Sequence, residues 1–326
     1  MTKPSSDQPL RLAVLGMIPG NGHPYSWSAI INGYNREAMA SCPYPAIPGY
    51  LGAQPSANVR IPGVNVTHVW TDNPTEAPAV AAASLIPHVV ARPEDVIGEV
   101  DAVLVSTDDG ADHVRRARPF VEAGLPVFID KPMATTMDEL KTFIAWERGG
   151  APLLSSSGMR YAPELGKLAA DLPSMGELRW LSLTTAKTWE RYGIHVLEPA
   201  FVLLGPGFVS VRLESQPGLE VAHLLHRSGV QVSLPIIYDG GGSFGAVQLC
   251  GTKGLAQIRF TDTFNAFRNQ LLAFINYVRT RRHPYPFAHT VEMMAVIIAG
   301  IRSRESGCQR VDLSEILSEL SYETTS

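Results

Sequence analysis

Residues 101–132 read DAVLVSTDDGADHVRRARPFVEAGLPVFIDKP. Asp101–Ser106 is a short apolar run ended by polar residues, the pattern of a strand buried on both faces. Ala111–Ala123 follows with Val114, Ala117, Phe120 and Val121 spaced for one helical face, and Pro119 is expected to kink that helix or shift its start. Pro126–Ile129 is a second buried strand, closed by Asp130-Lys131-Pro132. Strand, helix and strand in this order make a parallel crossover. The pattern extends upstream. Arg11–Leu15 is strand-like and ends in Gly16, Ser26–Met39 is helical, Val66–Thr71 is strand-like, and Glu76–Leu85 is helical. Downstream, Thr136-Met-Asp-Glu139 is a capping box that opens another helix. Residues 1–150 therefore read as an α/β, nucleotide-type domain built on a parallel sheet. One irregular insertion, about 41–65, carries five prolines and three glycines.

The second half changes character. Leu178–Thr188, Val209–Glu214, Glu220–His226, Val230–Tyr238, Ser243–Cys250 and Ala256–Phe260 are strand candidates. Pro217-Gly218, Gly229 and Gly240–Gly242 punctuate them, as in an antiparallel meander. Asn269–Thr280 and Val291–Ser303 have helical spacing. Residues 151–326 thus read as an α+β domain with a mostly antiparallel sheet.

Composition narrows the function. The chain has 326 residues, 27 basic against 31 acidic, giving a net charge of −4. That balance provides no footprint for nucleic acid. Three cysteines without metal-like spacing exclude a disulfide framework and a zinc module, and no metal is expected. The polar start Met1–Gln8 and the short apolar runs contain neither an export signal nor a span, which points to the cytoplasm and away from membranes.

Four features could carry chemistry. Gly16, Gly20 and Gly22 lie between the first strand and helix, where backbone can approach a pyrophosphate at a helix N-terminus. Their order is G-x-x-x-G-x-G, not G-x-G-x-x-G, so a turn that binds nothing is an equal reading. Asp72, at the end of the second strand, could accept ribose hydroxyls and disfavour a 2′-phosphate; an Asx-turn is the plain alternative. Asp130 and Lys131 end a central strand, where ligands collect and an ammonium can steady an alkoxide, although an isolated Asp-Lys pair is more often a solvated surface pair. His195, in Tyr192-Gly-Ile-His-Val-Leu-Glu-Pro199, suits proton exchange with an alcohol; a backbone-bonded histidine is the bland alternative. Pro199 is expected to fit only the first turn of its helix, placing His195 near the start.

Together and in order, these features resemble the Gfo/Idh/MocA-type (glucose–fructose oxidoreductase / inositol dehydrogenase) family over nearly the whole chain. Residues 101–132 carry the most specific likeness, with GMRYAP at 158–163, GIHVLEPAFVLLG at 193–205 and ESGCQRVDL at 305–313. The resemblance implies that Ser106, Thr107 and His113 lie on the cofactor side, with Gly16, Gly20, Gly22, Asp72, Asp130 and Lys131. It implies that Lys131 and His195 are catalytic. Arg160, Tyr161, Lys187, Arg191 and Tyr192 fall near the substrate cleft, with Trp189; surface charge or core aromatic is an equal reading for each. The implied activity is NAD-dependent hydride transfer, with NADP as the alternative, between nicotinamide and a hydroxyl or keto carbon of a sugar, polyol or related carbohydrate. The implied architecture is a Rossmann-type doubly wound domain over 1–150 followed by a substrate-binding and oligomerisation domain over 151–326, and the implied assembly is a homo-oligomer, dimer or tetramer. Family alternatives are an NAD-retaining epimerase or glycosidase that oxidises transiently, and a non-catalytic nucleotide-binding sensor. Many members place an aspartate four residues before the histidine, where this chain has Arg191. Glu190 or, better placed, Glu198 could then orient and charge the imidazole, or Arg191 nearby could hold it neutral.

Overall fold

The computed structural model describes residues 8–240 and 245–322. The expected tail Met1–Gln8 lies outside them except for Gln8, as do residues 241–244, where part of the Gly240–Gly242 turn and the start of the Ser243–Cys250 strand were expected. The first sheet holds β1 (Leu10–Leu15), β2 (Val64–Trp70), β3 (His88–Val89), β4 (Ala102–Val105), β5 (Val127–Ile129) and β6 (Leu153–Leu154), all parallel, in the order β3-β2-β1-β4-β5-β6. That order reverses between β1 and β4, and the crevice above such a switch point is where α/β sheets hold ligands.

Helices α1 (His23–Asn32), α2 (Arg36–Ala40), α3 (Ala46–Gly52), α4 (Ala77–Ser84), α5 (His113–Glu122) and α6 (Met137–Arg148) connect these strands. Side chains alternate across the sheet. Leu12, Val14, Leu104 and Phe128 enter a core shared with α1, whereas Ala13, Leu15, Val103 and Ile129 enter one shared with α5 and α6. The helix expected over Ser26–Met39 is broken: Gly33 ends α1 with φ +83°, and the Asn35 side chain caps α2. Helix α5 runs through Pro119. The 41–65 insertion is more regular than expected. It contains α3 and buries Ile47, Leu51, Val59 and Ile61 against α1, so its apolar residues are a packing surface that irregular spacing concealed.

The second sheet contains β7 (Leu178–Leu183), β8 (Thr185–Ala186), β9 (Phe208–Gln216), β10 (Leu219–His226), β11 (Gln231–Ile237), β12 (Ala246–Gly251), β13 (Leu255–Arg259) and β14 (Val311–Asp312). Its order is β13-β12-β7-β11-β10-β9-β14, with β8 beside β11. Only the contacts of β11 with β7 and β8 are parallel, so β9–β11 form the meander and β7 enters by a crossover. Helices α7 (Pro163–Asp171), α8 (Trp189–Leu204), α9 (Thr263–Thr280), α10 (Phe287–Glu305) and α11 (Leu313–Glu319) complete the chain. Helix α9 returns to the first sheet: Phe274 packs edge-on against Phe128, ring centres 5.4 Å apart.

Candidate active site

The first turn of the site follows from one glycine. Gly16 ends β1 with φ +98°, and a Cβ there would lie 2.7 Å from Thr107 Cγ2. Only glycine holds this left-handed conformation at such close approach without strain. The Ser106 hydroxyl donates to the Gly16 carbonyl (2.7 Å) and fixes the turn against β4. Asp72, just beyond β2, accepts the Met17 N–H (2.9 Å) and pairs with Arg116 (2.7 Å). The expected ribose carboxylate is therefore at the glycine turn, with a guanidinium attached to it. His113 takes another role: its ring is buried, with one nitrogen 2.8 Å from the Thr107 carbonyl and the other 3.2 Å from that of Met133. It ties two loops together at the site.

Asp130 is a hub. Its fully buried carboxylate accepts the Lys131 N–H (2.8 Å), the Asn21 side-chain amide (3.1 Å) and a His23 ring nitrogen (2.7 Å). The glycine loop is thereby bound to the end of β5. His23 also stacks on Trp27, ring centres 4.2 Å apart, one helical turn on. Its backbone N–H donates to Asn21 Oδ1 (2.9 Å), so this loop uses part of its own anion-binding capacity.

Lys131 projects from the same strand end through a cis peptide to Pro132. Its ammonium lies 3.6 Å from Asp108 and 4.9 Å from the centre of the Tyr192 ring. Arg191 of α8 reaches the other Asp108 oxygen at 2.5 Å. Burial opposes both charges, but Lys131 and Arg191 outweigh it at Asp108, which stays far below the ordinary carboxylate range. Asp130 and Asp108 likewise raise Lys131 above the usual lysine range despite burial. Lys187, with φ +64°, reaches the Gly20 carbonyl (3.2 Å) and packs over Tyr192, 4.2 Å from the ring centre. A non-glycine residue held there is strained by about 1–3 kcal/mol, which the surrounding contacts must offset.

His195 is buried and lies edge-on to Tyr192, ring centres 4.6 Å apart. Lys131, Lys187 and His195 thus touch one aromatic ring. His195 lies in the interior of α8, not near its start, because the helix continues through Pro199. Proline removes the hydrogen bond that residue 199 would make to the His195 carbonyl, yet every residue from Gly193 to Phe201 is buried, and that packing overrides the local cost. The imidazole Nδ1 is 2.6 Å from the Ser157 hydroxyl. Neither expected carboxylate partner takes that place. Glu198 accepts the Ser157 N–H (2.9 Å) and pairs with Arg160; Glu190 pairs with Arg304. Burial, then Lys131, His23 and Lys187, drives His195 well below the ordinary histidine range, so the ring is neutral. Arg160 is withdrawn from the cleft: it pairs with Glu198 and lies 3.8 Å over the Tyr285 ring. Tyr161 is half-buried beside this pair, its hydroxyl pushed up mainly by burial. Trp189 belongs to the core and donates its indole N–H to the Ile297 carbonyl (2.9 Å).

A cavity of about 220 Å³ opens here, lined by Ile18, Asp108, Asp109, Gly110, Thr135, Glu190 and Arg191. A broader groove, about 760 Å³, lies near Gly124 and Pro152, before β5 and β6, away from these side chains. The cradle at Gly16, the buried Thr107 hydroxyl without a partner among the described residues and the carboxylate at Asp72 fit a dinucleotide. Sequence reasoning missed Asp108, Asn21, His23 and Ser157 as members of this site. Only the Asp-Asp-Gly after a strand end pointed toward Asp108. Among the described residues no group of three metal-ligating side chains occurs, and no helix is long and apolar enough to cross a membrane.

Residues 48–151 match the family model GFO_IDH_MocA, described as an oxidoreductase family with an NAD-binding Rossmann fold. A protein of Amycolatopsis mediterranei (strain S699), named as a proposed oxidoreductase subunit of UDP-kanosamine synthase, is 32% identical over 111 residues. That match covers 34% of this chain and 31% of the relative, so the two correspond over about a third of their lengths. Myo-inositol 2-dehydrogenase from Lactobacillus plantarum has a similar structure, with TM-score 0.74 and 14% identity over 94% of this chain and 99% of that one. An oxidoreductase from Agrobacterium radiobacter, solved with NAD+, L-tartaric acid and magnesium, gives TM-score 0.72 and 14% identity over 95% and 100%.

Proposed function

We propose, from the match of residues 48–151 to the Gfo/Idh/MocA oxidoreductase family model and from the geometry of the site, that this chain is an NAD-dependent enzyme acting on a hydroxyl or keto carbon of a sugar, polyol or related carbohydrate. The observation that carries this reading is the convergence of Lys131, from the first domain, and His195, from the second, on the ring of Tyr192. The Gly16 turn, the start of α1 and Asp72 would hold the dinucleotide; nicotinamide, when bound, supplies the hydride acceptor or donor. Lys131, kept charged by Asp108 and Asp130, holds the substrate oxygen and stabilises negative charge on it. His195 contacts the same oxygen as the neutral proton-exchange group. Lys187, Arg191 and Tyr192 form the walls that orient the substrate. Asp72 disfavours a 2′-phosphate, which supports NAD over NADP. The half-exposed Ile237, Tyr238 and Leu255 on the second sheet support a homo-oligomer.

The test is cofactor titration followed by nicotinamide absorbance with a panel of sugars and polyols. Turnover should require Lys131, so Lys131→Ala should fold, bind NAD and lose activity. Near-normal turnover of Lys131→Ala would remove that residue from the mechanism. A second reading, NAD kept bound through a transient oxidation, is favoured by the grip of Lys187 and Arg191 on the carbonyls of the glycine loop. Product formation without net NAD reduction would identify it.

A further inference from the structure

The histidine of this site has a hydroxyl on Nδ1 where a carboxylate was expected, and that difference fixes which ring nitrogen carries the proton. Ser157 is fully buried. Its Oγ accepts the Met159 N–H at 3.1 Å and lies 2.6 Å from His195 Nδ1. Its own backbone N–H is held by Glu198, which is held in turn by Arg160, so the serine cannot turn away without breaking a buried chain of bonds. A hydroxyl has one proton to give. If Nδ1 carried a hydrogen it would point at Oγ, and the serine proton would need a third partner, of which the described residues supply none. A carboxylate in this position, able only to accept, would impose the opposite tautomer.

We propose that Ser157 is the positioning residue of His195 and that its hydroxyl donates to Nδ1, so the resting imidazole is the neutral Nε2–H tautomer. Ser157 thereby sets the ring's orientation and proton position from the Nδ1 side. The kinetic consequence rests on the oxidoreductase function proposed above; the tautomer does not. The charged and titratable groups around the ring agree with neutrality: Lys131 from β5, Lys187 and Tyr192 from the second domain, and His23 from α1.

The experiment is nitrogen NMR on the full chain labelled with 15N-histidine, with the His195 signal assigned by its loss in His195→Asn. At neutral pH the wild-type ring should show protonated Nε2 and unprotonated Nδ1. Ser157→Ala should abolish that preference and lower kcat about tenfold or more with NAD affinity unchanged, and Ser157→Thr should restore both. A ring protonated at Nδ1, singly or together with Nε2, would overturn the proposal, as would an unchanged spectrum in Ser157→Ala. Should Ser157→Ala fail to fold, the wild-type spectrum and Ser157→Thr decide alone. The expected tautomer without hydride transfer would leave this proposal standing and defeat the functional reading; the reverse result would do the opposite.

Discussion

Replacing Asp108 by asparagine keeps the shape of the side chain and removes the charge that Lys131 faces. Lys131 and Asp108 are almost wholly withdrawn from water, with side chains 3% and 0% exposed, whereas Arg191 is 36% exposed. Charges 3.6 Å apart attract by about 5 kcal/mol at an effective dielectric of about 20. Loss of the burial cost of Asp108 returns part of that, and Asp130 still faces Lys131. Removing one partner of a buried pair typically costs about 3–5 kcal/mol, and these offsets place Asp108→Asn near the lower figure, about 3 kcal/mol. Arg191 can rehydrate, so the penalty falls on Lys131. For a chain of this size the melting temperature should drop by roughly 4 °C. Calorimetry and denaturant unfolding of Asp108→Asn, Lys131→Met and the double variant measure the coupling, expected at about 2 kcal/mol. Additive single effects, with coupling under about 0.5 kcal/mol, would refute the Asp108 pair as a support for the charge on Lys131.

Asp72→Ala should release Arg116 and remove the carboxylate that disfavours a 2′-phosphate. Titration with both cofactors should show the NADP-to-NAD affinity ratio rising by about tenfold, or about 1.4 kcal/mol; an unchanged ratio would mean another residue reads the ribose. Burial pushes the Glu139 carboxyl up to about 7 from an unfolded value near 4.5. The native state then keeps a proton that the unfolded chain releases, so this group's contribution is full below about 4.5, falls as pH rises toward 7 and levels off above it. Glu139→Gln should therefore raise the melting temperature, relative to wild type, more at pH 8 than at pH 5. An equal difference at the two values would contradict the shift.

The sheet was legible because burial on both faces writes itself into runs such as AVLV and VFI, and because strand ends are marked by Gly16, Asp72 and Lys131. Helix α8 was misread through Pro199: local chemistry argues for a helix start there, and only the tertiary burial around it argues otherwise. Helix α3 was hidden by prolines and glycines whose neighbours Ile47 and Leu51 pack against an element distant in sequence. The choice of ionic partners was not legible at all. Arg191 bonds Asp108, and Glu198 bonds Arg160, because the folded chain brings them together across long sequence separations. Asp108 in a Thr-Asp-Asp-Gly turn reads as a solvated residue until Lys131 and Arg191 are seen to enclose it.

If Lys131 and His195 hold one substrate oxygen beside nicotinamide, the carbon that bears it exchanges hydride directly with the cofactor, and isotope transfer reads that step. A substrate from the active panel, deuterated at the carbon that bears its hydroxyl, is turned over with NAD, and the reduced nicotinamide is read by proton NMR. One deuterium is expected at C4 on a single face of the ring, with transfer lost in Lys131→Ala. Reduced nicotinamide without that deuterium, or deuterium lost to water, would contradict direct hydride transfer at this site.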